Sequence, residues 1–158
     1  MSKEHLSTYL NDHLAGSNLA LEILDHLIAE NPSLSSSLTA LRAEIEEDRE
    51  QLKTLMARQH VDESRIRKAA GWIAERLGEI KLEADDSEKG DLRRLERLEA
   101  LALGIDGKIE LWRALDAAAS SNAGLGGVDY ERLTERAGNQ LARVEALRLQ
   151  AAREALAA

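Results

Sequence analysis

The spacing of apolar residues constrains the fold of this chain more than any other feature. Along four long segments, residues 3–30, 35–60, 91–118 and 129–155, apolar side chains recur at steps of three and four. Residues at those steps fall on one face of an α-helix, whereas a strand would alternate at every second residue. No segment shows that alternation, so the sequence predicts an all-α protein. In the second segment the predicted inward face is Leu38, Leu41, Ile45, Leu52 and Leu55.

The connections between these segments predict an antiparallel four-helix bundle. The sequence "ENPS" at residues 30–33 ends the first helix, because a residue before proline avoids the helical conformation. A turn this short makes the first two helices antiparallel neighbours. A shorter helix predicted over residues 63–82 would serve as the crossover between the two hairpins. With 158 residues, the chain is expected to form a single domain.

Charge and composition exclude several classes of function. The net charge of −8 argues against binding to nucleic acid or to anionic membranes, both of which favour basic surfaces. The chain has no cysteine, so disulfides, thiolate metal ligands and thiol catalysis are excluded. The N-terminal sequence "MSKEHLSTYL" lacks the apolar core of a secretory signal, and no apolar run approaches the roughly 20 residues of a membrane span. We therefore expect a cytoplasmic protein.

Three polar residues fall on the predicted apolar faces. His13 and Ser17 continue the apolar stripe of the first helix, and Asp48 lies in the middle of the stripe of the second helix. Pairing the two helices about the proline turn brings Asp48 level with His13 and Ser17. A buried carboxylate needs a partner, and His13 is the predicted one, with Ser17 as a second donor and an arginine from the third or fourth helix as a competitor. The favoured interpretation is a structural pair that sets helix register; the alternatives are a ligand or metal site, or an error in helical phase that moves Asp48 to the rim.

The third helix contains two glycines in the sequence "LGIDGK", Gly104 and Gly107. Each costs about 1 kcal/mol relative to alanine in a helix interior, so their presence needs a reason. Close approach of another helix is the favoured reason. A distortion that opens a ligand site is the alternative.

Four segments carry a family resemblance in their order along the chain. These are "YLNDHLAGSNLALEILDHL", "LRAEIEEDREQL", "KAAGWIAERLGEIKL" and "LERLEALALGIDGKIELWRAL". They resemble a group of bacterial ferritin-like proteins of unassigned function, which implies a ferritin-like bundle. Di-iron members of that superfamily place a Glu on each of two helices and a Glu-x-x-His motif on each of the other two. None of the four histidines here has a glutamate three positions earlier, so the complete di-iron motif is missing.

These observations favour a non-enzymatic binding or interaction module with no catalytic residues, no metal and no cofactor. Its candidate polar cluster is His13, Ser17 and Asp48, and we expect a protein partner or self-association as a homodimer. The alternative is a divergent di-metal carboxylate oxidase or stress protein, with iron or manganese held by His13, Asp48 and Glu99. A third hypothesis is an α-helical partner for a peptide or for a small apolar ligand lodged between helices, with entry near the glycines of the third helix.

Overall fold

The computed structural model describes residues 2–63 and 90–157, and every regular element in that part of the chain is helical. The all-α prediction is therefore confirmed. The crossover helix predicted over residues 63–82 lies outside the described residues, except for Glu63. The described α-helices are α1 (Ser2–Glu30), α2 (Ser35–Arg58), α3 (Gly90–Ala119) and α4 (Tyr130–Leu156).

The helix ends follow from local backbone chemistry. A 3-10 turn over Pro32–Leu34 joins α1 to α2, and a second over Ala123–Leu125 joins α3 to α4. Asp129 caps α4, because its carboxylate accepts a hydrogen bond from the backbone N–H of Arg132 at 3.0 Å. For these four helices, all eight predicted boundaries lie within two residues of the observed ones.

The C-terminus of α2 ends in a Schellman motif. His60 adopts a positive φ of 54° and its N–H donates to the carbonyl of Ala57, while the Val61 N–H donates to that of Met56 at 2.9 Å. Glycine usually occupies this left-handed position, because a Cβ there crowds the backbone. His60 therefore stops the helix at a cost in backbone strain.

Polar side chains join α2 to its neighbours on both sides. Towards α1, Arg42 Nε donates to Asp25 at 2.6 Å and Arg49 donates to Asn18 at 3.1 Å. The helix α1 also packs against α3, and α3 packs against α4. Towards α4, the contacts of α2 include ion pairs made by long arginine side chains, such as that between Arg143 and Glu44.

The core consists of two apolar clusters with polar residues between them. One includes Leu24, Leu41 and Val144, and the other includes Leu10 and Trp112. The predicted inward face of α2 is confirmed, since all five of its apolar residues are buried. Along α2 the boundary between the clusters falls at Asp48.

None of the described helices has a stretch long and apolar enough to cross a membrane.

Candidate functional site: a buried ion cluster beside an open cleft

Asp48 is the centre of a buried polar network. The residue is 2% exposed, as its position on the apolar stripe of α2 predicts. Its Oδ2 accepts hydrogen bonds from Lys108 Nζ of α3 at 2.6 Å and from Gln140 Nε2 of α4 at 3.1 Å. Its Oδ1 accepts from the guanidinium of Arg136, with Nε at 3.0 Å and Nη2 as a second donor. Two cations and an amide therefore compensate the buried carboxylate.

A second layer of side chains surrounds this network on its outer side. The Arg136 guanidinium also donates to Glu47 at 2.8 Å, and Gln140 Nε2 donates to Glu44 at 3.3 Å. Lys108 Nζ donates a further hydrogen bond to Gln140 Oε1. We call the whole assembly the Asp48 cluster. Its members, which include three carboxylates and three cations, are Glu44, Glu47, Asp48, Lys108, Arg136, Gln140 and Arg143.

Burial and charge act in opposite directions on the two cations that contact Asp48. Burial lowers the pKa of Lys108 below its ordinary value, although the charge of Asp48 partly offsets that effect. Burial also disfavours the charged form of Arg136, but its hydrogen bonds to Asp48 and Glu47 outweigh this and raise its pKa. The charge of Asp48 therefore raises the pKa of both cations, but at Lys108 the effect of burial is the larger.

The predicted hydrogen bond between His13 and Asp48 is not formed, and this expectation was wrong. The competing arginine, Arg136 of α4, takes the carboxylate together with Lys108. The physical reason is charge, since a buried carboxylate is compensated better by two cations than by an imidazole with a lowered pKa. Burial is the cause that lowers the pKa of His13, against a smaller raising effect of Asp12.

His13 and Ser17 have local partners instead. The His13 ring packs edge-on against Tyr9, with the ring centroids 4.7 Å apart. The Ser17 hydroxyl donates to the backbone carbonyl of Leu14 at 2.7 Å, which is the usual way for a helical serine to satisfy itself. Both residues nevertheless line the same cavity as Asp48. The structure therefore places the three predicted residues at one cavity without joining them by hydrogen bonds.

That cavity is an open cleft of about 550 Å³, lined by residues of α1, α2 and α3. We call it the α1–α3 cleft. Its volume lies within the range of about 300–1,000 Å³ that is typical of small-molecule sites. Most of its wall is apolar, and Asp48 and Lys108 form its contact with the Asp48 cluster. Apolar members of the wall include Ala20, Ile23, Ile45, Leu52, Leu103, Ile105, Leu111 and Trp112.

Three glycines line the cleft. They are Gly16 of α1 and Gly104 and Gly107 of α3, and a Cβ added at any of them would meet no atom of the described residues within 4 Å. Among the described residues no helix approaches Gly104 or Gly107 closely, and the helix predicted over residues 63–82 lies outside them except for Glu63. The position of both glycines on the cleft agrees with the alternative that they border a ligand site.

Two residues that line the cleft carry buried hydrogen-bond donors without a partner among the described residues. Trp112 is fully buried, and neither its Nε1 nor the buried Nε of Arg49 makes a hydrogen bond within the part of the chain that the structure describes. Such groups are uncommon in native proteins, because an unsatisfied buried donor costs about 1–3 kcal/mol. Both residues line the cleft.

The metal ligands expected under the alternative hypothesis do not converge on a point. His13, Asp48 and Glu99 all line the cleft, but the Asp48 oxygens are occupied by donors and Glu99 pairs with Arg148 at 3.5 Å. Within residues 2–63 and 90–157, no three His, Asp or Glu side chains lie close enough together to hold a metal ion.

The sequence analysis missed Lys108, Arg136 and Gln140. A signal for two of them was present. Gln140 lies three residues after the buried Ala137 and four before the buried Val144, and Lys108 follows the buried Ile105 by three. Polar residues at such positions are as informative as Asp48 itself.

Comparisons with models of protein families, with curated proteins and with solved structures find no match.

Proposed function

We propose that this chain is a non-enzymatic binding module whose α1–α3 cleft takes a small, mostly apolar molecule. The observation that carries the proposal is the cleft itself, with its apolar wall and three glycines along it. A glycine inside a helix costs about 1 kcal/mol relative to alanine, and none of the described residues packs closely enough against these three positions to require that cost. Access to a ligand is a physical reason for it.

We further propose that the scaffold is an antiparallel, ferritin-like four-helix bundle. Support comes from the order of contacts between α1 and α2. Arg42 contacts Asp25 and Arg49 contacts Asn18, so a step forward along α2 is a step backward along α1. The Asp48 cluster would hold the register of α2, α3 and α4 in such a bundle, which is a recognised use of buried ion pairs.

The Asp48 cluster supports binding rather than catalysis. A general base needs a free lone pair within reach of a substrate proton. Asp48 accepts hydrogen bonds from Lys108, Arg136 and Gln140, so its oxygens are already engaged. We therefore assign the cluster a structural role as one polar wall of the cleft.

The binding of Nile red, a neutral apolar dye, tests the proposed function. We expect its fluorescence to rise on binding to the wild-type protein. Gly107→Leu should weaken binding at least tenfold, because the new side chain projects into the cleft. Gly138→Leu is the matched control, since Gly138 is also half-buried in a helix with no atom within 4 Å of an added Cβ, but lies on α4 outside the cleft. Equal binding by the two variants, or no binding to the wild type, would contradict the proposal.

A divergent metal-binding oxidase remains the second candidate, favoured by the placement of His13, Asp48 and Glu99 on one cleft. Elemental analysis of the untagged protein for iron and manganese tests it. Near-stoichiometric metal that is lost in His13→Ala would support the oxidase over the binding module. Absence of bound metal after incubation with either ion would count against it.

A further inference from the structure

We infer that the ligand of the α1–α3 cleft is an amphiphilic amine, with an apolar body that carries one ammonium group. The inference rests on the proposed function of the cleft and adds the chemistry of the ligand's polar end. Its support is the uneven distribution of charge along the wall, together with an exposed leucine beside two of the wall's glutamates.

Carboxylates outnumber cations among the described residues of the wall. The cleft is lined by four carboxylates and two cations, Asp12, Asp48, Glu96, Glu99, Arg49 and Lys108. Both cations already have anionic partners, since Lys108 pairs with Asp48 and Arg49 lies 3.3 Å from Glu50. The net charge of the whole chain is −8 as well. The electrostatic potential of the cleft therefore favours a cationic ligand over an anionic one.

The cations of the wall are grouped away from two of its carboxylates. Glu96 and Glu99 are three residues apart, so they are neighbours on one face of α3. Lys108 follows Glu99 by nine residues, which is about 14 Å along the helix axis. Its ammonium lies 2.6 Å from Asp48, which Arg49 follows directly in α2. We call the part of the cleft at Glu96 and Glu99 its acidic end.

Both carboxylates of the acidic end can accept a further cation. Glu96 makes no hydrogen bond or ion pair within the part of the chain that the structure describes. Glu99 lies 3.5 Å from Arg148 of α4, but the same guanidinium donates to Glu145 at 2.6 and 2.8 Å. The side chain of Glu99 is 40% exposed, so an ammonium beside it would keep part of its water. The desolvation cost that opposes fully buried ion pairs is therefore small here.

An exposed apolar side chain adjoins the acidic end. Leu103 follows Glu99 by four residues, which is one helical turn, and it is 59% exposed. Of the large apolar residues that the described chain exposes, Leu103 alone lines the cleft. A hydrocarbon body that covered Leu103 and reached the buried Ile23 and Ile45 would remove apolar surface from water. Its ammonium group would then lie at Glu96 and Glu99, where a carboxylate would be repelled.

Three probes that share a phenylbutyl body separate the possible polar ends. They are 4-phenylbutylamine, 4-phenylbutanol and 4-phenylbutyrate, each titrated into the full-length protein at pH 7 by ligand-observed NMR. Exposed ion pairs are weak, so two carboxylates correspond to roughly a fivefold gain in affinity. We expect the amine to bind about fivefold more tightly than the alcohol, and the carboxylate to bind most weakly. In about 1 M sodium chloride, where the Debye length is about 3 Å, the preference for the amine should fall towards unity.

A double variant assigns that preference to the acidic end. Glu96→Gln with Glu99→Gln should reduce the preference for the amine over the alcohol towards unity, while the affinity for the alcohol stays within about twofold. The matched control is Asp106→Asn with Glu110→Gln, which removes the same net charge from exposed residues of α3 outside the cleft. Glu96→Gln alone, with an expected preference of about twofold, serves if the double variant fails to fold by circular dichroism.

The outcomes distinguish the amine from the proposed function of the cleft. Equal binding of the amine and the alcohol by the wild type, or the same preference in the double variant and its control, would overturn the ammonium group and leave the apolar cleft in place. Tightest binding of 4-phenylbutyrate would overturn the choice of a cation. A preference that Asp12→Asn abolishes and the double variant keeps would overturn the placement at the acidic end. Failure of all three probes to bind would overturn both proposals.

Discussion

Removing the charge of Asp48 should destabilise the protein strongly, because two partly buried cations would lose their counter-ion. Asp48→Asn preserves the shape of the side chain, but it removes the charge and replaces one acceptor oxygen by an NH2 donor. The side chains of Lys108 and Arg136 are 13% and 20% exposed, so water compensates them little. Breaking a buried ion pair from one side costs about 3–5 kcal/mol. Arg136 keeps its contact with Glu47, so we expect the lower end, about 3 kcal/mol.

Urea unfolding followed by circular dichroism measures this loss. With a slope of about 2 kcal/mol per molar urea, a 3 kcal/mol loss lowers the unfolding midpoint by about 1.5 M. The matched control is Glu47→Gln, which changes the residue next to Asp48 on α2. Glu47 also pairs with Arg136, but its side chain is 68% exposed, and exposed pairs contribute about 0–1 kcal/mol.

A double variant tests whether charge imbalance is the cause. Asp48→Leu together with Lys108→Met removes one charge of each sign. We expect this double variant to be at least about 1 kcal/mol more stable than Asp48→Leu alone. This is on the order of the stabilisation found when buried ion pairs are replaced by apolar groups. If Asp48→Asn costs no more than Glu47→Gln, the carboxylate is not an essential counter-ion and the account of the Asp48 cluster is wrong.

Three further predictions concern the histidines and the glycines. Burial lowers the folded-state pKa of His13 below 6.5, so the unfolded chain binds more protons just below that pH. The free energy of unfolding should therefore fall as the pH drops through 6.5. The fall should be smaller in His13→Gln than in the wild type or in His26→Gln, the control at an exposed position. Gly104→Ala should stabilise the protein by about 0.5–1 kcal/mol, measured by thermal unfolding, because its Cβ meets no atom of the described residues. A loss of stability would show that another group occupies that space. His60→Gly should stabilise by about 1 kcal/mol in the same assay, since glycine adopts the positive φ without strain; unchanged stability would mean that His60 makes a compensating contact.

The sequence determines the helices of the described residues and the burial of Asp48. Both depend on local periodicity, because steps of three and four assign each residue to one face of its own helix. Asp48 lies between Ile45 and Leu52 at those steps, and it is buried as expected.

Only the tertiary structure decides which partner reaches Asp48 and what the glycines do. Lys108 and Arg136 lie 60 and 88 positions further along the chain, and periodicity within a helix does not report which helix lies opposite. A helical glycine is equally consistent with a close neighbour and with open space. Gly104 and Gly107 line the cleft, and no described residue comes within 4 Å of a Cβ added at either. No local pattern predicts this, because the rest of the cleft wall belongs to residues distant in sequence.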